Sequence, residues 1–357
     1  MADPTIWPKE PHTDAKHRIL EAYLKAWFPI LAKYNRRIIY IDGFAGPGTY
    51  EKGEMGSPLI ALHCLLSHSL ELCQKNTEFA FLFIEKDAER AKKLEQKITE
   101  NYPNCPKNVI IKVYNGEFES TMTELLNGIE EKNTNLAPTF AFIDPFGYSG
   151  LPLHLIKRIL AFSHCEVFIN FAYESINRFS ETQDSRERIF DKLFDTEEWQ
   201  KVRNFDNVEE RNRELTALYT KQLKTGARYV RSFEMINNSG KVTYYLYFAT
   251  NHIKGFEQMK TAMWRVDPRG SFRFADTTDV NQSFLLSFEE NTKFKEQAEI
   301  IFDLFKGKSI IQKKLKDYCI EYTAFPTLWS NSLKSLRQTS KYLWIIGKEK
   351  DHIPQNV

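Results

Sequence analysis

The period of the apolar positions changes repeatedly along this chain, and the changes outline alternating helices and strands. Between residues 14 and 34, Ile19, Leu20, Tyr23, Leu24, Trp27 and Leu31 recur on one helical face. Pro29 is expected to kink or interrupt that helix, because proline lacks the N–H and crowds the preceding turn. A short apolar run, Ile38 to Ile41, then ends in Asp42 and opens into glycines. Ser57 before Pro58 predicts a helix N-cap with proline in the first turn.

The alternation continues. FAFLFIEKD (79–87) is a strand followed by the charged helix AERAKKLEQKITENY. NVIIKVYNGEF (108–118) is a third strand, and a helix follows from about Glu119 to Ile129. TFAFIDPFG (139–147) and CEVFINF (165–171) are the fourth and fifth, separated by the helix LPLHLIKRILAF. Strands that are apolar throughout and alternate with helices imply a parallel sheet covered on both faces. Residues 174–228 are charged and helical in pattern, an insertion or lid. YVRSFEMI, the turn NNSG and KVTYYLYFATN then form a hairpin, followed by the helix GFEQMKTAMWRV. The expected fold is α/β, a doubly wound, mostly parallel sheet with a terminal antiparallel hairpin, as in class I methyltransferases. That domain spans about 1–270.

From about Thr292 the pattern turns helical: KFKEQAEIIFDLFKGK, IIQKKLKDYCIEY and TLWSNSLKSLRQTS, closed by YLWIIG. Residues 271–357 are therefore expected to form a small helical or winged-helix module. Charge sharpens this division. Residues 293–357 hold 12 Lys and Arg against 7 Asp and Glu, a net of +5, so the rest carries −3 of the total +2. Lys313, Lys314 and Lys316 on the middle helix are candidate nucleic-acid contacts; a solvated basic face is the alternative. No apolar run is long enough to span a bilayer, and no apolar stretch follows the N-terminal charges. The five cysteines are scattered, with no C-x-x-C pair, which argues against structural zinc and a disulfide framework. A cytoplasmic setting without metal is expected.

The candidate chemistry lies at the strand ends. Asp42-Gly43-Phe44-Ala45-Gly46-Pro47-Gly48 lets the backbone turn sharply and approach a ligand. Its spacing is neither Gly-x-Gly-x-x-Gly nor a P-loop, and it resembles the Asp/Glu-x-Phe-x-Gly-x-Gly motif of S-adenosylmethionine enzymes. The resemblance implies that the glycines pass under the methionine moiety and that Asp42 orients its ammonium. A branched residue at Gly48 is expected to obstruct the ligand with little effect on folding. Glu85 ends the second strand, where an acid accepts from ribose hydroxyls; Asp87 competes for that role or merely starts a helix. Asn115 and Gly116 close the third strand, on the expected adenine side.

Asp144-Pro145-Phe146-Gly147 closes the fourth strand, where methyltransferases of exocyclic amines carry Asp/Asn-Pro-Pro-aromatic. The version here is similar to that of tRNA guanine-N2 dimethylating enzymes. The resemblance implies that Asp144 accepts from the target amine and Phe146 stacks on its base. The alternative is a structural Pro-x-Gly turn. Asn170, Asn177 and Arg178 follow the fifth strand and either line the same mouth or cap a helix. Lys16 and His17 begin the first helix, beside the expected methionine site; a surface or capping role is the ordinary reading of such a histidine.

HRILEAYLKAWFPIL, YIDGFAGPGTYEKGEMGSPLIAL, FIDPFGYSGLP and INFAYESINRF closely resemble the three-Cys-motif partner proteins over about residues 12–270. The resemblance implies a genetic or physical partner, a radical-S-adenosylmethionine-like or phage-type three-Cys-motif protein. Two functions follow as expectations. One is an S-adenosylmethionine-dependent methyltransferase acting on an exocyclic amine of a nucleic-acid base. The other is a non-catalytic or cofactor-binding scaffold for that partner.

Overall fold

The computed structural model describes residues 8–67, 77–147, 151–172, 187–205, 207–237, 239–267, 272–275, 286–305, 310–323, 345–346 and 351–352. Helix α1 (Pro11–Ala32) precedes β1 (Arg37–Asp42), α2 (Ser57–Leu66) and β2 (Glu78–Glu85). Then come α3 (Ala88–Asn101), β3 (Val109–Asn115), α4 (Phe118–Glu131), β4 (Thr139–Ile143), α5 (Leu153–Leu160) and β5 (Cys165–Phe171). The insertion contributes α6 (Glu187–Phe194), a 3-10 helix (Glu198–Asn204) and α7 (Val208–Leu223). The hairpin is β6 (Tyr229–Ile236) and β7 (Val242–Thr250), followed by α8 (Ile253–Val266) and β8 (Arg273–Ala275). Helices α9 (Leu286–Phe305) and α10 (Gln312–Tyr322) and the short strands β9 (Ile345–Ile346) and β10 (Asp351–His352) complete the described chain.

Eight strands form one sheet in the order β3-β2-β1-β4-β5-β7-β6-β8. The pairings among β1 to β5 are parallel, whereas β7 is antiparallel to both neighbours. This is the expected α/β architecture, with the return strand of the hairpin inserted between β5 and β6. Strands β4 and β5 are buried along their whole length, which explains their unbroken apolar runs. Alternate residues nevertheless serve different cores. Phe140, Phe142 and Phe168 join Tyr40, Phe79, Phe81 and Phe83 under α1, α2 and α8. Ala141, Ile143, Val167 and Ile169 face α4 to α7 on the other side. The first face is mostly aromatic; truncating one of its rings to alanine costs about 3–5 kcal/mol.

Four expectations change. Pro29 lies inside α1 without ending it. It is exposed and in the last turn, so one hydrogen bond is lost while buried Trp27, Phe28 and Ala32 hold the helix down. Gly56, not Ser57, is the N-cap of α2. Its N–H donates to the Gly48 carbonyl at 2.7 Å, which sets the entry of the helix one residue earlier. The sheet also takes in Arg273–Ala275, past residue 270, with Phe274 buried in the main core. Finally, Lys316 does not stand with Lys313 and Lys314. Those two are exposed, whereas Lys316 turns back to pair with Glu257 of α8 at 3.2 Å.

Helix α10 docks on α8 through a buried lysine. Lys260 donates to the Ile320 and Thr323 carbonyls at 2.5 and 2.7 Å, satisfying the C-terminal end of α10. Burial, with Arg231 nearby, pushes its ammonium down to about 6. The third expected helix of this module and the insertion segment 174–186 lie outside the described residues. Among the described residues no helix is long and apolar enough to cross a membrane, and no cluster of metal ligands occurs.

Candidate active site

The carboxyl ends of β1, β2, β3 and β4 meet in two adjoining cavities that share Phe44 and Phe146. The larger, about 610 Å³, is lined by Gly43, Phe44, Glu85, Asp87, Arg90, Gly116, Phe118 and Phe146, among others. The smaller, about 210 Å³, is lined by Lys16, Phe44, Gly46, Gly48, Tyr50, Ser57, Asp144, Pro145, Phe146, Asn170 and Tyr244, with further loop residues. These volumes lie at or near the range of small-molecule sites. Most of the residues singled out in the sequence converge here. Asp42, Asn115 and Gly147 do not line either cavity.

The glycine loop is held by the strand ends beneath it. Gly43 N–H donates to Phe142 O and Ala45 N–H to Ile84 O, both at 2.9 Å. The Glu85 carboxylate bridges the loop and α3, accepting from Gly46 N–H and Asp87 N–H at 2.8 Å each. Each of its oxygens retains a lone pair, so the acid can still accept from hydroxyls in the larger cavity. Asp87 itself caps α3, accepting from Arg90 N–H at 2.9 Å. Asn115 donates to the Glu85 and Lys86 carbonyls, tying β3 to β2. Asp42 is fully buried below the loop and accepts from Phe44 N–H at 3.3 Å. Burial, reinforced by the negative charges of Asp144 and Glu85, pushes its carboxyl up to about 7.

Gly46 and Gly48 both adopt positive φ, +63° and +84°, a region that favours glycine. They differ in what surrounds them. A Cβ on Gly46 would point into open space, whereas one on Gly48 would come within 2.8 Å of Leu94 Cδ1 on α3. Gly48 is thus constrained by packing as well as by conformation, which corrects the expectation that its replacement spares folding.

Asp144 is held from two sides. Asn170 Nδ2 donates to Oδ1 at 2.6 Å, and the Lys16 ammonium donates to Oδ2 in a close ion pair. Lys16 is buried, and its Nζ lies 5.5 Å from the centroid of the Tyr244 ring. Tyr244 also donates from its hydroxyl to the His12 carbonyl at 3.0 Å, fastening the start of α1 to β7. Phe146 is 62% exposed on the rim, with the Arg90 guanidinium 5.6 Å from its centroid. His17 is not a surface residue: it is buried beside Tyr50, and burial, with Lys16 and Lys9 adding, holds it well below the ordinary histidine range. Tyr244 carried no signal in the sequence beyond its place in an apolar strand. Asn177 and Arg178 lie outside the described residues.

No protein-family model matches the chain, and no curated protein matches it. Among solved structures it is similar to Trm1 from Pyrococcus horikoshii in complex with S-adenosyl-L-methionine: 11% identity, 72% of this chain, 60% of that chain, TM-score 0.39. The chain thus spans 60% of the length of that protein. It is similar to protein LPL1258 from Legionella pneumophila at 13% identity over 65% of this chain and 84% of that one, TM-score 0.39. A human methyltransferase 10 domain containing protein aligns at 13% identity over 65% and 82%, TM-score 0.32.

Proposed function

We propose that the chain is an S-adenosylmethionine-dependent methyltransferase acting on an exocyclic amine of a nucleic-acid base. The observation that carries this reading is the joining of two cavities at Phe44 and Phe146, with Asp144 in one and Glu85 in the other. The residues present fit the cofactor. Glu85 and Gly116 suit a ribose and base in the larger cavity, between Phe44, Phe118 and Phe146. Gly46, whose missing Cβ leaves space, and Gly48 suit the amino-acid end in the smaller one. When bound, the cofactor supplies an electrophilic methyl group. The protein's own contribution is to make a conjugated amine more nucleophilic. Asp144 would accept from the amine hydrogens and favour its pyramidal form, while Phe146, exposed on the rim, would stack on the base. A base in a duplex would have to be flipped out to reach it.

A second reading has its own support. Asp144 is already neutralised by Lys16 and bonded by Asn170. A carboxylate tied into an ion pair in this way suits a scaffold for the three-Cys-motif protein that the sequence resemblance implies. Calorimetry with S-adenosylmethionine and S-adenosylhomocysteine tests the cofactor. Tritiated S-adenosylmethionine with total DNA and RNA from cells lacking this gene tests the transfer. The methyltransferase reading expects binding and label; no binding at millimolar ligand would overturn it. Binding without label, with or without the partner, would favour the scaffold.

A further inference from the structure

We infer that Lys16 is a two-position counter-ion: it neutralises Asp144 until the carboxylate of the cofactor's methionine moiety draws the ammonium away. This rests on the cofactor assignment above and adds to it an order of events. The distribution of charge is the starting point. The larger cavity is bordered by Glu85, Asp87, Glu117 and Glu119 against Lys86 and Arg90, with Lys86 already paired to Glu117, an acidic balance that suits hydroxyl donors better than a carboxylate. In the smaller cavity, Lys16 is the one lysine or arginine among the lining residues. A zwitterionic tail entering along Gly46 and Gly48 therefore meets a single ammonium, and that ammonium is already paired with Asp144.

The pair is built to exchange. The backbone of α1 is fixed, because Ala15, Ile19 and Leu20 are buried and Tyr244 is bonded to the His12 carbonyl. The lysine stem, in contrast, has four rotatable bonds and ends in a compact charge that can be shared between two carboxylates. Asn170 keeps Oδ1 in place when Oδ2 is released, so Asp144 does not collapse into another contact. The Tyr244 ring lies 5.5 Å from the ammonium in its position on Asp144. Without the cofactor, the Lys16 ammonium neutralises Oδ2 and weakens it as an acceptor for an amine. With it, the full carboxylate charge is freed for the amine. Cofactor before acceptor is the order this arrangement favours.

The test is calorimetric and needs no turnover. The full chain is titrated with S-adenosylhomocysteine and with its decarboxylated analogue, which lacks only the carboxylate. The wild type is expected to prefer the carboxylate form at least tenfold. Lys16→Met should shrink that preference to about twofold while leaving affinity for the decarboxylated form within about threefold; Lys16→Arg should retain part of it. Asp144→Asn, which frees the ammonium, should tighten S-adenosylhomocysteine severalfold in the same assay and provides a readout independent of Lys16 variants. Equal wild-type affinity for the two ligands would overturn the proposal while leaving the cofactor assignment standing. So would equal weakening of both ligands in Lys16→Met, or a tenfold loss in Asp144→Asn. Absence of binding to either ligand would remove the cofactor assignment and this proposal together.

Discussion

At the carboxyl edge of the sheet Asp42 lies under the glycine loop, a short distance from Asp144. At the opposite edge Glu166 begins β5 with an equally buried carboxyl. Glu166 accepts from the Tyr23 hydroxyl and, at 2.8 Å, from the Thr250 hydroxyl. Both Asp42 and Glu166 are pushed up to about 7, chiefly by burial. A displaced acidity therefore does not distinguish the proposed reactive edge from a structural one in this molecule. What differs is the kind of partner, since Glu166 also borders a cavity, of about 710 Å³. Glu166 is held by hydroxyls on packed elements and lies so close to Gly255 that any side chain there would collide with it. Asp144 is held by a long cation and an amide, at a cavity wall.

The largest expected effect breaks this comparison at its functional end. On the methyltransferase reading, Asp144→Ala should lower methyl transfer by about two orders of magnitude or more while S-adenosylhomocysteine still binds, at wild-type affinity or severalfold tighter. Glu166→Gln should leave transfer within about twofold, since its carboxyl lies far from the glycine loop along the strands. Full-rate label in Asp144→Ala would place the chemistry elsewhere.

The next effect separates ligand space from packing within one loop. Gly46→Val should weaken S-adenosylhomocysteine at least tenfold, about 1.4 kcal/mol, because its Cβ enters the cavity. Gly48→Val shares the backbone strain and adds the clash with Leu94, so its thermal midpoint should fall further than that of Gly46→Val. Equal melting of the two variants would remove the distinction.

A pH series reads the opposite edge. Glu166 titrates at about 7 when folded against 4.5 otherwise, so the folded chain retains a proton that the unfolded chain gives up. Its contribution is complete below about pH 4.5 and is lost as pH rises through 7. Asp42, raised from 3.8 to about 7, acts in the same direction. The melting midpoint should fall between about pH 5 and 8, and Glu166→Gln should flatten part of that slope. An unchanged slope would mean that the carboxyl reaches water.

The fold was legible because β4 and β5 are buried along their whole length, which forces unbroken apolar runs, and because the turn at Gly240 supports a plain hairpin. Strand β8 was not, since three residues with one buried side chain leave no period to read. The glycine loop and Asp144 were legible because they end strands. Their partners were less so. Lys16 is 128 residues from Asp144 and Asn170 is 26, and only the sheet order brings α1, β4 and β5 together. The pairing of Lys316 was hidden for a related reason: spacing along α10 carries no information about Glu257 opposite it.

The smallest expected effect follows from that pairing. If the C-terminal module binds nucleic acid, replacing exposed Lys313 and Lys314 by alanine should lower affinity severalfold and reduce the salt slope by about two charges. Lys316→Ala should change the docking of α10 more than the salt slope. Gel-shift titrations at several salt concentrations check both.

The seat of Lys260 has a consequence for how this chain tolerates being divided. Ile320 is part of the main core, and its carbonyl accepts from the buried lysine. A chain ending before α9 would lose that acceptor, the Thr323 carbonyl and the Ile320 side chain at once, leaving an apolar scar on α8. Such a fragment would be expected to self-associate, so the two regions behave as host and graft rather than as beads on a string.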